Sequence, residues 1–390
     1  MPRRPIAHRG NRIVLIEPIG RATGMRGGTR QPIAERSFGS DPVTVARLAG
    51  AWMRGATRAG VACCAKHFPG HGDTHVDSHH ALPTVDKSLA ELEALELIPF
   101  RLLREQAPAL MTAHIVYPQI DPEHPATLSR KLLTGLLRER LGYRGVVITD
   151  ALMMKAVHER YGHARSAVLA LQAGADMPLA QGSRAEQAQA LQAIAQAQQD
   201  GQLDPAALQA SAARLDALAA RFPAAQVELT DKQRELDDRL MHQAWARALT
   251  TVGDALPPAR DAALRVVTQG RVDSDGVSEA GLPAAAVRAL FSSFANVEFV
   301  EVADLATLDP AVLVSSERKV ILASNHRARY THARSLQADL HLVLWNPFQV
   351  LDVKSPALVP WGHATGALTA VQAWLEGRAA APGVAPVALS

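Results

Sequence analysis

Val61–His80 reads VACCAKHFPGHGDTHVDSHH, an apolar run of strand length that stops at Lys66-His67 and opens into a polar, histidine-rich loop. On both sides of it the same pattern recurs. Candidate strands Arg12–Ile16, Val61–Ala65, Ala109–Ala113, Val146–Thr149 and Asp176–Leu179 alternate with amphipathic helix candidates. The helices are placed at Val43–Arg58, Leu89–Glu105, Ser129–Leu141, Ala164–Ala173, Arg184–Gln199 and Pro205–Arg221. Asp41-Pro42 supplies an N-cap and a first-turn proline to the first of them. Crossovers of helix length between strands require a parallel sheet, and strands that are apolar throughout suit one covered on both faces.

The alternation pauses after Arg221-Phe222-Pro223. A polar helix is expected over Asp231–Val252, followed by Pro257-Pro258, and both read as a connector. It resumes with strands from Leu264, at Val297–Val302, from Lys319 and at Leu340–Leu344, with helices at Ala284–Phe294 and Gly366–Glu376. That pattern gives a second, smaller α/β domain with an extended tail at Ala379–Ser390. The expected division is 1–225, a connector at 226–258, and 259–390.

Composition narrows the function. The 390 residues carry 41 basic and 38 acidic side chains, a formal charge of +3, with no basic run of the kind that binds nucleic acid. No apolar stretch approaches the roughly 20 residues of a membrane span. Cys63 and Cys64 are adjacent, so a disulfide scaffold is excluded. The amino-terminal stretch lacks the apolar core of a signal peptide, and with the paired thiols this points to a soluble, cytoplasmic setting. Nothing in the sequence states an oligomeric form.

Ionisable residues collect at strand ends. One strand ends in Lys66-His67, a second in His114 and a third in Asp150, and loops beyond the carboxyl ends of parallel strands build sites. Five of the fifteen histidines lie within His67–His80. His67, His71, His75 and His79 recur every four residues, which on a helix would line up a zinc site. Pro69, Gly70 and Gly72 argue against helix there. Acid/base chemistry is the other reading: in Asp77-Ser78-His79 a carboxylate two residues from an imidazole can fix its tautomer and let the other nitrogen donate a proton. An ordinary surface Asp and His in a polar loop competes with it. Asp150 reads equally as a catalytic carboxylate or a helix N-cap, Arg36 as a ligand clamp or a solvated arginine, and His114 as a core histidine or a pocket wall. Lys66 is costly to bury unless paired.

The segment KHFPGHGDTHVDSH closely resembles the signature loop of glycoside hydrolase family 3, in its β-N-acetylhexosaminidase branch. ERSFGSDP at Glu35–Pro42, LMTAHIVYP at Leu110–Pro118, LGYRGVVITDALMM at Leu141–Met154 and AGADM at Ala173–Met177 resemble family segments in family order. LWNPFQVLDV and PWGHATGALTAVQAWLEG resemble the second domain of many members. The resemblance implies a (β/α)8 TIM-type barrel followed by an αβα sandwich. It implies a retaining exo-β-N-acetylglucosaminidase acting on cell-wall or chitin-derived saccharides without cofactor or metal. Asp150 then matches the nucleophile, His79 the general acid/base and Asp77 its partner. Lys66, His67 and Arg36 match residues that hydrogen-bond the sugar, with His114 as a further pocket residue. Phosphorolysis and a catalytically impaired remnant are the alternatives. The family's Asp-x-Glu-Gly-Gly-x-Val-x-Arg type segment is not found, and five candidate strands fall short of eight. The expectation is therefore a barrel lacking its first strands.

Overall fold

The computed structural model describes residues 12–15, 37–74, 82–223, 230–274, 280–332 and 335–389. They fall into two compact units, one holding the described residues up to 223 and the other those from 230.

The first unit is built on β1 (Arg12–Leu15), β2 (Cys63–Phe68), β3 (Ala109–Thr112) and β4 (Val146–Ile148), all parallel and adjacent in that order. The helices are α1 (Pro42–Arg58), α2 (Leu89–Ala94), α3 (Leu97–Leu103), a π-helix (Lys131–Arg140), α4 (Lys155–Tyr161), α5 (His163–Ala173), α6 (Arg184–Gln199) and α7 (Pro205–Arg221). Asp41 caps α1 as expected, accepting the Thr44 N–H at 2.7 Å with Pro42 at the first position. The single helix expected over Leu89–Glu105 is two, broken at Leu95 (φ −138°). Pro99 has no N–H to continue a helix through that point but fits the first turn of α3.

Alternation along the strands divides their side chains between two cores. Cys63, Ala65, Leu110 and Val147 face Met53 of α1, Phe100 of α3 and Leu132, Leu133 and Leu136 of the π-helix. Cys64, Ala109, Met111, Val146 and Ile148 face the other way, against Leu179 and against Leu215 and Leu218 of α7. Among the described residues the sheet is open and does not close into the expected barrel. Its second apolar face is covered in part by a helix instead. The strand expected at Asp176–Leu179 is reduced to a single parallel bridge, Ile148 to Met177. Pro178 cannot donate to a ladder, and the Leu179 N–H is taken by the Thr149 hydroxyl at 2.8 Å.

The second unit has six strands: β5 (Thr250–Val252), β6 (Leu264–Gln269), β7 (Val297–Val302), β8 (Lys319–Ser324), β9 (Leu340–Val343) and β10 (Ala357–Val359). Their order is β5-β10-β9-β8-β6-β7, parallel except for β5. α8 (Asp231–Ala248), α9 (Ala284–Ala289) and α10 (Thr365–Leu375) complete it. The polar helix ends four residues before the expected Val252, because β-branched Thr250, Thr251 and Val252 pair as an edge strand. A Cβ on Gly366 would come within 2.6 Å of Trp245, so this glycine lets α10 lie against α8. Apolar clusters lie on both faces of the sheet. Within it a buried polar chain joins Tyr330 and His341 through the Ser324 hydroxyl, at 2.6 Å to each. No helix among the described residues is long and apolar enough to cross a membrane.

Candidate active site

The carboxyl ends of β2, β3 and β4 are level, since Phe68 pairs with Thr112 and Met111 with Ile148. The pairing of β2 with β3 shifts register between Ala65 and Phe68, at the position of Lys66 and His67. A bulge there re-aims side chains at a strand end. The Lys66–His67 and Phe68–Pro69 peptides are cis. Phe68 is anchored edge-on against Phe100, with ring centroids 5.3 Å apart.

Asp150 follows β4 after one residue, Thr149. Its carboxylate Oδ2 lies 3.7 Å from His67 Nε2, close enough for electrostatic attraction though beyond a hydrogen bond. The Asp150 side chain is 14% exposed and that of His67 5%. Lys66 shares their electrostatic surroundings, as the neighbouring Cys64 thiol records. Burial pushes that thiol up to about 12, Lys66 pulls it down and Asp150 raises it further. Cys64 stays protonated and is no nucleophile at neutral pH. Asp150 is thus a largely buried carboxylate beside an imidazole and near an ammonium, an arrangement chemically able to serve as a nucleophile toward an electrophilic carbon.

The loop after β2 is not helical. Thr74 Oγ1 donates to the His71 carbonyl at 2.9 Å and lies 2.6 Å from His71 Nδ1. The His71 ring stands edge-on to that of His67, at 5.3 Å between centroids. Gly70 has φ +145°, and a Cβ on it would come within 2.7 Å of Glu96. Its carbonyl accepts from the buried Tyr117 hydroxyl at 2.5 Å. Lys87 Nζ joins Asp73, at 2.7 Å, to the buried Glu96, at 2.5 Å. Burial by itself would lower the Lys87 ammonium, but its bonds to Asp73 and Glu96 and their charges outweigh that and raise it.

The structure therefore brings together Lys66, His67 and Asp150. It places His114 behind them, fully buried, with Nδ1 2.8 Å from Thr127 Oγ1 and Nε2 3.0 Å from the Ala151 carbonyl. Arg36, Asp77 and His79 lie outside the described residues. Of the four-residue row, His67 is in a strand and His71 in a turn, while His75 and His79 lie outside the described residues. Among the described residues no group of three His, Cys, Asp or Glu is placed to hold a metal ion. Sequence reasoning missed Thr112, Thr127, Tyr117, Lys87 and Glu96. Only Lys87 and Glu96 carried a signal, as charges flanking the signature loop.

Comparison with known proteins decides the family. The domain described as Glycosyl hydrolase family 3 N terminal domain matches residues 26–218. A solved β-N-acetylglucosaminidase of this family from Paenibacillus sp. is 30% identical and superposes with a TM-score of 0.76, over 97% of this chain and 76% of that one. The chain belongs to glycoside hydrolase family 3. It is 44% identical over 162 residues to a Beta-hexosaminidase of Pseudomonas aeruginosa, covering 42% of this chain and 48% of that protein. To a Beta-hexosaminidase of Neisseria meningitidis it is 44% identical over 148 residues, 38% and 41% of the respective lengths. The chain thus spans about half the length of these family 3 relatives.

Proposed function

We propose that this chain is a retaining exo-acting glycoside hydrolase that removes terminal β-linked N-acetylglucosamine from peptidoglycan fragments or chitooligosaccharides. The observation that carries the proposal is the approach of His67 Nε2 to Asp150 Oδ2, 3.7 Å, at the carboxyl end of a parallel sheet. The names of the bacterial relatives and the activity of the Paenibacillus enzyme support the choice of sugar. On this reading the first unit, with its open parallel sheet, is a catalytic β/α domain over 1–225, joined through 226–258 to an αβα sandwich over 259–390.

The chemistry proceeds in two displacements. Asp150 attacks the anomeric carbon as the bond to the leaving oxygen breaks, and that oxygen takes a proton from His79, whose tautomer Asp77 holds. A covalent glycosyl-enzyme results. Water then attacks the same carbon, gives its proton back to His79 and releases Asp150 with the anomeric configuration retained. Lys66, His67 and Arg36 donate hydrogen bonds to the sugar. An imidazole acid leaves less negative charge beside the intermediate than a carboxylate would.

The test is hydrolysis of an aryl β-N-acetylglucosaminide by the full chain, with the first-formed anomer read by proton NMR. Release of the β-anomer, lost in Asp150→Asn, is expected. Release of the α-anomer, or activity that survives Asp150→Asn, overturns the reading. A sugar 1-phosphate formed when inorganic phosphate is added would reassign the acceptor.

A further inference from the structure

We infer that Thr112, Thr127 and His114 form a positioning brace that holds the Asp150 carboxylate with Oδ2 as its attacking oxygen. The inference rests on the reading of Asp150 as the nucleophile. The five contacts that carry it make a closed ring. The Asp150 N–H reaches Thr112 Oγ1 at 3.3 Å, and Thr112 Oγ1 lies 2.8 Å from Thr127 Oγ1. Thr127 Oγ1 lies 2.8 Å from His114 Nδ1, and His114 Nε2 lies 3.0 Å from the Ala151 carbonyl. The Ala151 N–H returns to Asp150 Oδ1 at 2.8 Å. Thr112, His114 and Thr127 are all fully buried.

The partners set most of the directions. A carbonyl only accepts, so His114 Nε2 carries a proton and donates to Ala151. The Thr127 hydroxyl donates to the Ala113 carbonyl at 2.9 Å, so its oxygen accepts from the Thr112 hydroxyl, and Thr112 oxygen accepts from the Asp150 N–H. His114 Nδ1 meets the same Thr127 oxygen. Bonds that share partners in this way polarise one another.

The ring ties the backbone on both sides of Asp150 to β3 and to the turn at Ala126–Leu128. Oδ1 is committed to the Ala151 N–H, which leaves Oδ2 as the oxygen that faces His67. His114 is then a positioning residue that acts through Ala151. A reacting carboxylate displaced by a fraction of an ångström loses rate steeply, which gives this arrangement its value.

The experiment uses the full chain and two readouts. Thr127→Val removes one hydroxyl at nearly constant volume, and Thr127→Ser restores it. The Asp150 carboxyl, assigned by its loss in Asp150→Asn, is titrated by carbon-13 NMR. In Thr127→Val its midpoint is expected to rise by about half a unit or more, as the Ala151 N–H is held less well on Oδ1. Turnover of an aryl β-N-acetylglucosaminide is expected to fall roughly 10- to 100-fold in kcat, with KM within about twofold, and to recover in Thr127→Ser. A folded Thr127→Val with an unmoved carboxyl midpoint and unchanged kcat overturns the brace. If that variant does not fold, Thr112→Val breaks the ring at its other joint and carries the same two expectations. If the wild-type chain hydrolyses no such substrate, the reading of the activity fails, while the carboxyl titration still decides the brace.

Discussion

Asp150 and Asp176 lie toward opposite ends of the same sheet, and what surrounds them separates the carboxylate proposed to react from one set up to hold. Asp176 precedes the bridge residue Met177 and has a fully buried side chain. Its Oδ2 accepts from Arg138 at 2.6 Å and from the Val147 N–H at 2.8 Å, and its Oδ1 accepts from Arg214 Nε at 2.9 Å. Both its oxygens are spent on fixing α7 and the π-helix to β4. Burial lowers the Arg138 guanidinium, and the Asp176 charge offsets this only in part. Asp150 is placed differently. It receives one N–H on Oδ1, an imidazole 3.7 Å from Oδ2, and some solvent. Two guanidiniums quench nucleophilicity, whereas a single backbone donor orients a carboxylate and leaves an oxygen to react.

The largest effect that tests this contrast is Asp150→Asn, which is expected to lower hydrolysis about a thousandfold or more, some 4 kcal/mol of barrier. Thermal stability should stay close to wild type. A large loss of stability in that variant would show that Asp150 is a structural carboxylate after all. Asp176→Asn is expected to do the reverse. It leaves two guanidiniums facing a neutral amide and should cost about 3 kcal/mol in urea unfolding of the first unit, discounted for the partial exposure of Arg214. A shift below about 0.5 kcal/mol would remove the distinction between the two aspartates.

The strand ends that place Lys66, His67 and Asp150 were readable because an apolar run stopping at a charge is a local signal. The limits of α6 and α7 were readable for a similar reason. Ser183 and Glu186 form a capping box at the start of α6, and Asp204 caps α7 with Pro205 at its first position. α4 escaped because KAVHERY is seven residues long, too short for its apolar positions to show a period. β5 and β10 escaped because three-residue strands owe their pairing to neighbours remote in the chain. The barrel expectation came from resemblance, whereas the cover that α7 gives to the sheet's second face depends on tertiary contacts among Leu215, Leu218 and Ile148. Thr112 and Thr127 are fifteen positions apart, and no spacing rule foretells that their hydroxyls meet.

The imidazoles divide as the aspartates do. His67 lies beside a carboxylate, while burial governs His326 and His341 in the second unit, outweighing the pull of Asp304 on His326. Burial takes His326 down to about 4 and His341 to about 3, the latter also repelled by His326. Unfolded, both return to about 6.5. Below that pH the unfolded chain takes up protons that the folded unit refuses, so their contribution is complete above pH 6.5 and is lost as pH falls toward 4. Between pH 6 and pH 5 the second unit should lose about 2 kcal/mol of stability, about half of it recovered in a His341→Gln variant that still folds. Urea midpoints followed by the fluorescence of tryptophans such as Trp374 would measure this. A midpoint flat across that interval would mean that both histidines titrate normally.

The smallest expected effect sits between the two kinds of carboxylate. Lys87 holds Asp73, which is partly exposed and on the loop after β2, against Glu96, which is buried and whose Oε2 has no partner. Its grip on Glu96 is structural, and what it steadies is the loop after β2, where Asp73 follows Gly70 and His71. Lys87→Met removes the cation and should cost about 1–2 kcal/mol at pH 7, because the buried Glu96 carboxylate loses the ammonium that it pairs with. Lys87→Arg should restore part of it. A loss of kcat in Lys87→Met larger than its loss of stability would place Lys87 with Asp150 in the reacting end of the unit. A stability loss with activity intact would place it with Asp176.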